Sequence, residues 1–316
     1  MSRILWRIFG VALMLTALAL PLIRAPDRAV ETLVGRWAPP PSDFIDVKGQ
    51  LVHIRDEGPR GDPSPLVLLH GTSASLHTWE GWARALKGRH RVISLDLPGF
   101  GLTGPFAGQY TPDDYRGDTV ARFVIDVLDH LQLPHATLAG NSLGGEIAWR
   151  VATLAPQRID KLVLVDAAGY VFQPQTVPVG FLLAGVPVLN RVGEHVLPRV
   201  MVDASVRSVY GDPAKVTEAL VDRYFELATR EGNRRALRLR FQQMAMGEGS
   251  ERIKTLHLPT LILWGGRDRL IPPAQAQLFA RDIPGSRVQV FPGLGHVPQE
   301  EDPEVTAAAV QAFLGF

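Results

Sequence analysis

A serine set between two glycines directly after a short apolar run constrains this chain more than any other feature: Gly140-Asn141-Ser142-Leu143-Gly144 follows Ala136-Thr137-Leu138-Ala139. In the pattern G-x-S-x-G the serine occupies a sharp turn from strand to helix, and the flanking glycines remove side chains that would clash there. Such a turn lifts a hydroxyl into the open. A serine hydroxyl is a weak nucleophile until an imidazole takes its proton, and a carboxylate must hold that imidazole in one tautomer. A chain that uses this serine must therefore also supply a base, an acid and donors for a developing oxyanion.

The surrounding pattern predicts a sheet able to present that turn. Residues 65–69, 91–95, 161–165 and 260–264 are short apolar runs, as expected of strands covered on both faces. Residues 44–47 and 51–54 flank Lys48-Gly49-Gln50 and predict a hairpin. Helical spacing covers residues 79–86, 119–131 and 143–154, and after the last apolar run come a helix near 274–280, a strand at 287–291 and a helix over 303–313. Strands alternating with helices make the fold class α/β, a mostly parallel sheet with helices on both faces. Between about 169 and 255 the rhythm stops, leaving an apolar stretch at 177–189 and helical stretches at 216–230 and 233–246, which reads as an inserted helical cap. With 316 residues, 46% of them hydrophobic, the chain has room for one large domain with an insertion. The expected division is an N-terminal segment over 1–37, a core over 38–169 and 256–316, and a cap over 170–255.

The N-terminal segment carries Arg3 and Arg7 ahead of an apolar run, 8–23, of 16 residues. This length lies near the lower limit for a spanning helix and also suits a signal-peptide core. The expectation is an uncleaved membrane anchor over residues 4–23, with the catalytic domain on one side of a membrane partner. The alternative is a cleaved signal, for which Ala17-Leu18-Ala19 offers a match, and a secreted or periplasmic product. Arg24 and Arg28 balance Arg3 and Arg7, so the facing side stays open. Ala38-Pro39-Pro40-Pro41-Ser42 reads as a stiff spacer after which the globular part begins.

Charge and composition remove several function classes. A formal net charge of +1 provides no basic field for nucleic acid, so no nucleic-acid partner is expected. Zero cysteines exclude thiolate nucleophiles and cysteine-ligated metals. With no His-x-x-x-His pair and no acidic cluster at ligand spacing, no metal is expected. Gly99-Phe100-Gly101-Leu102-Thr103-Gly104 matches a dinucleotide fingerprint, but Pro105, Gly108 and Pro112 keep a loop where a helix would have to open, so no cofactor is expected. Arg230, Arg234 and Arg238 share a helical face with Arg235 and Arg240 beside it. That face is expected to be solvated and ion-paired, the alternatives being contact with anionic lipid headgroups or with a substrate carboxylate.

Of nine histidines, His296 lies just past the last predicted strand in Gly293-Leu294-Gly295-His296, where glycines permit close backbone approach, and it is the expected base. Asp268 ends Trp264-Gly265-Gly266-Arg267-Asp268 at the carboxyl edge of its strand, where sites of open parallel sheets gather, and is the expected acid. Asp166 occupies the same edge one strand earlier and is the alternative. The oxyanion donors are expected from the backbone N–H of Leu143, directly after the serine, and of Thr72 in the loop His70-Gly71-Thr72-Ser73. His70 is read as a residue that braces this loop.

The order Ser142, Asp268, His296 resembles the α/β-hydrolase superfamily over about residues 44–316. In detail, Asp96-Leu97-Pro98-Gly99-Phe100-Gly101, Gly140-Asn141-Ser142-Leu143-Gly144-Gly145 and Asp166-Ala167-Ala168-Gly169 resemble bacterial serine esterases and lipases with an N-terminal hydrophobic segment. That resemblance implies hydrolysis of a small-molecule or lipid-like carboxylic ester through an acyl-enzyme. The chain is similar, less closely, to hydrolases that cleave a carbon–carbon bond of aromatic ring-fission products, and this is the alternative function. Two departures separate it from them: Thr72-Ser73-Ala74 where they carry a glycine- and proline-rich loop, and Val297 where they carry an aromatic. Ser142 argues against the superfamily's dehalogenases and epoxide hydrolases, which use an aspartate nucleophile. A non-catalytic binding module would lack one of the three groups, and all three are present. The acyl group, the alcohol and the oligomeric state remain open at this level.

Overall fold

The computed structural model describes residues 6–7, 9–10, 14, 25–178, 181 and 194–315. Strands β1 (Ser42–Val47), β2 (Gln50–Glu57), β3 (Leu66–Leu69), β4 (Val92–Leu95), β5 (Ala136–Asn141), β6 (Ile159–Val165), β7 (Thr260–Gly265) and β8 (Arg287–Phe291) form one sheet ordered β1-β2-β4-β3-β5-β6-β7-β8. The first two pairings in that order are antiparallel, and every pairing from β4 to β8 is parallel. This is the mostly parallel sheet expected from the alternation of strands and helices, and the α/β-hydrolase fold that the resemblance implies.

The apolar runs have a direct physical cause. β3 is buried along its whole length, and its side chains alternate between two cores. Leu66 and Leu68 join Trp79, Trp82 and Val310 on one face, while Val67 and Leu69 join Phe123, Ile147 and Trp149 on the other. Helices α1 (Glu31–Trp37), α2 (Glu80–Leu86), α3 (Gly117–His130), α4 (Leu143–Leu154), α5 (Arg199–Val209), α6 (Glu218–Ala228), α7 (Asn233–Gln243), α8 (Ala274–Asp282), α9 (Pro298–Glu301) and α10 (Pro303–Leu314) complete the described elements. The N–H of the Trp82 indole donates to Thr306 Oγ1 at 2.9 Å, which ties α2 to α10 beneath one face.

Helices α5, α6 and α7 lie between β6 and β7 in the chain. Val206 of α5 and Val221 of α6 pack with Tyr210 and Val297, so these helices sit against the loop that follows β8. The arginines of α7 are paired, but they do not form the expected solvated face. Arg234 and Arg240 are only 7% and 6% exposed. Arg234 pairs with Asp27, Arg240 with Glu146, Arg235 with Asp113 and Arg238 with Glu194. The expected apolar stretch at 177–189 lies largely outside the described residues.

Two N-terminal expectations change. The chain folds before the proline spacer, because Leu33 is buried with Leu102 and Leu227, and Arg36 and the Trp37 indole both donate to Glu226, at 2.6 and 2.7 Å. The membrane anchor is corrected as well: among the described residues no helix is long and apolar enough to cross a membrane. A run of 16 residues falls short of the ~20 that span a bilayer core. Most of residues 4–23 lie outside the described residues, and the membrane partner and the localisation drawn from that run lose their basis.

Candidate active site

Ser142 stands between the end of β5 and the first turn of α4 with φ 56° and ψ −114°, a conformation that costs a non-glycine residue energy. The flanking glycines are required by contact. A Cβ on Gly144 would lie 1.9 Å from the Leu69 carbonyl oxygen, and one on Gly140 would lie 2.1 Å from that of Gly144. The turn is held in place by hydrogen bonds from Ser142 N–H to Val165 O at 3.0 Å and from Ala168 N–H to Ser142 O at 3.1 Å. The serine thus sits where β5, β6 and α4 meet.

His296 and Asp268 come together from the loops after β8 and β7. His296 Nδ1–H donates to Asp268 Oδ2 at 2.7 Å, and Nε2 has no hydrogen-bond partner among the described residues. Asp268 Oδ1 accepts the backbone N–H of Leu270 at 2.8 Å and of Ile271 at 3.0 Å, so three donors fix this carboxylate. The backbone of His296 is fixed too: its N–H donates to Val209 O at 2.8 Å, and its carbonyl accepts Asn141 Nδ2–H at 2.9 Å.

Asp166 directly follows β6, with φ 44° and no exposed surface. Its Oδ1 accepts the N–H of Gly265 at 2.9 Å, while its Oδ2 is buried with no hydrogen-bond partner among the described residues. Burial, and next the charge of Asp268, push the Asp166 carboxyl well above the usual aspartate range. Ligand atoms of Asp166, Asp268 and His296 all lie within 4.8 Å of one another. Nδ1 of His296 is already committed to Asp268.

The loop after β3 lies against the serine. A Cβ on Gly71 would be 3.2 Å from Ser142 Cβ. Among the described residues, neither Thr72 N–H nor Leu143 N–H meets a protein acceptor. His70 is fully buried, donates from Nδ1 to Gly71 O at 2.7 Å and accepts the Leu97 N–H on Nε2 at 3.0 Å. Desolvation lowers its pKa, so it braces this loop as a neutral ring.

Ser142, His296 and Thr72 line one cavity of about 160 Å³ with Asn141 and Val297, and Met201, Val206 and Leu237 of α5 and α7 close it from the other side. Glu301 joins that side to the histidine loop. Its Oε2 accepts the N–H of Gly211 at 2.9 Å and of Gly295 at 2.8 Å, and its Oε1 accepts the N–H of Asp212 at 2.8 Å. Sequence reasoning missed Glu301 and the part played by Asn141. The position of Asn141 beside Ser142 was a usable signal; nothing local marks Glu301.

A family model described as the alpha/beta hydrolase family matches residues 66–309. The chain is 33% identical over 282 residues to a dihydrolipoyllysine-residue acetyltransferase component of an acetoin cleaving system from Pseudomonas putida, a match spanning 87% of this chain and 70% of that protein. It is 28% identical to a 2-hydroxy-6-oxononadienedioate/2-hydroxy-6-oxononatrienedioate hydrolase from a Pseudomonas species, across 86% of this chain and 96% of that one. Among solved structures, a membrane phospholipase A described as a novel bacterial virulence factor superposes with a TM-score of 0.72 at 26% identity, covering 99% of this chain and 98% of its own. Sheet order, serine turn and family match lead to one conclusion: the chain belongs to the alpha/beta hydrolase family and is a hydrolase.

Proposed function

We propose that this protein hydrolyses carboxylic esters through an acyl-enzyme on Ser142. His296 takes the Ser142 proton on Nε2 as Oγ adds to the ester carbonyl, and Asp268 holds the ring and stabilises the imidazolium. The negative charge that develops on the carbonyl oxygen is met by the N–H groups of Leu143 and Thr72. Collapse of the tetrahedral intermediate breaks the C–O bond, and the alcohol leaves with the proton from His296. Water then repeats the sequence and releases the acid. The observation that carries this reading is the 2.7 Å His296–Asp268 hydrogen bond beside a strained serine on the same cavity.

In this reading residues 38–169 and 256–316 form the catalytic core, and 170–255 form a cap that shapes the pocket. The mostly apolar lining from α5 supports an acyl chain as the group bound there, with Arg234 and Arg238 of α7 beside it, and the likeness to a phospholipase A supports an ester. Cleavage of a carbon–carbon bond with the same three residues is the second reading, favoured by the similarity to the dienedioate hydrolase.

The test measures turnover of chromogenic esters graded by acyl length and, beside them, the spectral decay of a dienol ring-fission product. Ester turnover that disappears in Ser142→Ala together with fluorophosphonate labelling is the expected result. Faster decay of the dienol than of any ester transfers the assignment to the second reading. Full turnover by Ser142→Ala removes both.

A further inference from the structure

We propose that Asp166 is a positioning residue: a neutral carboxylic acid that donates its proton in a hydrogen bond to Asp268 and so holds that carboxylate against His296. This rests on the reading of Asp268 and His296 given under Proposed function.

The argument begins with the number of donors. Two buried carboxyls with oxygens within 4.8 Å do not both ionise, because burial strengthens the repulsion between two like charges. Asp268 receives three donors, from His296, Leu270 and Ile271, whereas Asp166 receives one, from Gly265. The negative charge therefore settles on Asp268. A carboxylate offers about four lone-pair sites, so Asp268 keeps a place for one more donor.

The location of the proton on Asp166 follows. Oδ1 already accepts the Gly265 N–H, and Oδ2 is the buried oxygen with no partner among the described residues. A proton on Oδ2 turns an orphaned acceptor into a donor beside an unsaturated carboxylate. Three titratable groups face this carboxyl: Asp268 from the loop after β7, His296 from the loop after β8 and Glu301 from α9. Glu301 accepts three backbone N–H groups, and its charge adds to the pressure that leaves Asp166 protonated. No bond is broken in this arrangement, and the proton stays on Asp166 through the reaction.

The functional consequence concerns orientation and field. A donor on Asp268 limits its freedom to rotate and spreads its charge just as the imidazolium forms. Asp166→Ala removes the donor and lowers kcat about tenfold, with KM little changed. Asp166→Asn keeps the shape, the acceptor for Gly265 and an N–H donor, and restores most of that loss.

The pH–rate profile separates this from a structural role. A second negative charge near His296 would favour its protonated form, so removing one would move the acid limb of kcat/KM to lower pH. With Asp166 neutral, Asp166→Asn leaves the limb where the wild type has it. A loss of a hundredfold or more in Asp166→Asn, on the order of removing a charged triad member, or a limb displaced to lower pH, overturns the proposal. A second measurement needs no turnover: aspartate 13Cγ NMR of the unreacted wild type at neutral pH shows one protonated carboxyl, which disappears in Asp166→Asn. Absence of that signal overturns the proposal even if ester hydrolysis stands, and its presence upholds the protonated state even if Ser142→Ala shows that the ester reading is wrong.

Discussion

The Glu301 carboxylate accepts the backbone N–H of Gly295 at 2.8 Å, one residue before His296. The same oxygen accepts Gly211 N–H at 2.9 Å, from the turn that follows α5. One side chain thus fixes the loop carrying the imidazole to the helices that close the cavity. His296 N–H adds a second tie to the same segment through Val209 O at 2.8 Å.

Glu301→Gln is the direct test of that tie. The amide can accept on one oxygen only, so at least one of the three N–H groups loses its acceptor. An unpaired buried donor costs about 1–3 kcal/mol. Misplacement of His296 should lower kcat by about tenfold or more while KM changes little, because misalignment of a reacting group acts on the chemical step. Steady-state kinetics on one ester checks it: an unchanged kcat would show that the loop holds its place without Glu301.

Ser142→Gly should gain stability as it loses activity. The serine is held at φ 56° and ψ −114°, a region glycine enters without the Cβ penalty. Relief of such strain is worth about 1–3 kcal/mol, offset by the roughly 0.5–1 kcal/mol that glycine adds in chain entropy. A denaturant midpoint above that of the wild type, at unchanged m-value, is the expected outcome. A lower midpoint means that the turn is not strained.

His77 sets an acid limit on stability. Its Nε2–H donates to Trp37 O at 2.8 Å and its Nδ1 accepts from Ser75 Oγ at 2.9 Å, both in a buried setting. Desolvation, only partly opposed by Asp96, lowers its pKa from 6.5 to about 3. Between those values the unfolded chain binds more protons than the folded one, so this contribution is complete above 6.5 and is lost as pH falls toward about 3. Urea unfolding followed across that window should show a declining midpoint, and His77→Gln should flatten the decline. A slope identical in both proteins would assign the acid sensitivity to other groups.

The sheet was legible because a strand covered on both faces has no polar positions to spare. The run around Leu66–Leu69 shows this, with alternate residues entering opposite cores. The serine turn was legible because its requirements are local: two missing side chains and one strand-to-helix corner. Asp268 and His296 were legible as residues in the short loops that follow strands, and the structure brings them to 2.7 Å.

What was not legible depends on distance along the chain or on burial. The packing of residues 25–37 rests on Glu226, 190 positions from Arg36, and no local pattern announces it. Two of the three backbone partners of Glu301 lie 90 and 89 positions away. Asp166 could be placed at the sheet edge, but its elevated pKa follows from what surrounds it in three dimensions.

The bond between Asn141 and the His296 carbonyl joins residues 155 positions apart. During synthesis the serine therefore leaves the ribosome long before the imidazole exists, by a gap on the order of ten seconds at ordinary elongation rates. A nascent chain that has already formed β5 and α4 carries a hydroxyl with no base to activate it. In the proposed mechanism, activity waits until β8 has joined the edge of the sheet and the loop after it has brought His296 to the cavity that Ser142 lines. Strand order alone thus separates synthesis of the proposed nucleophile from synthesis of its proposed base.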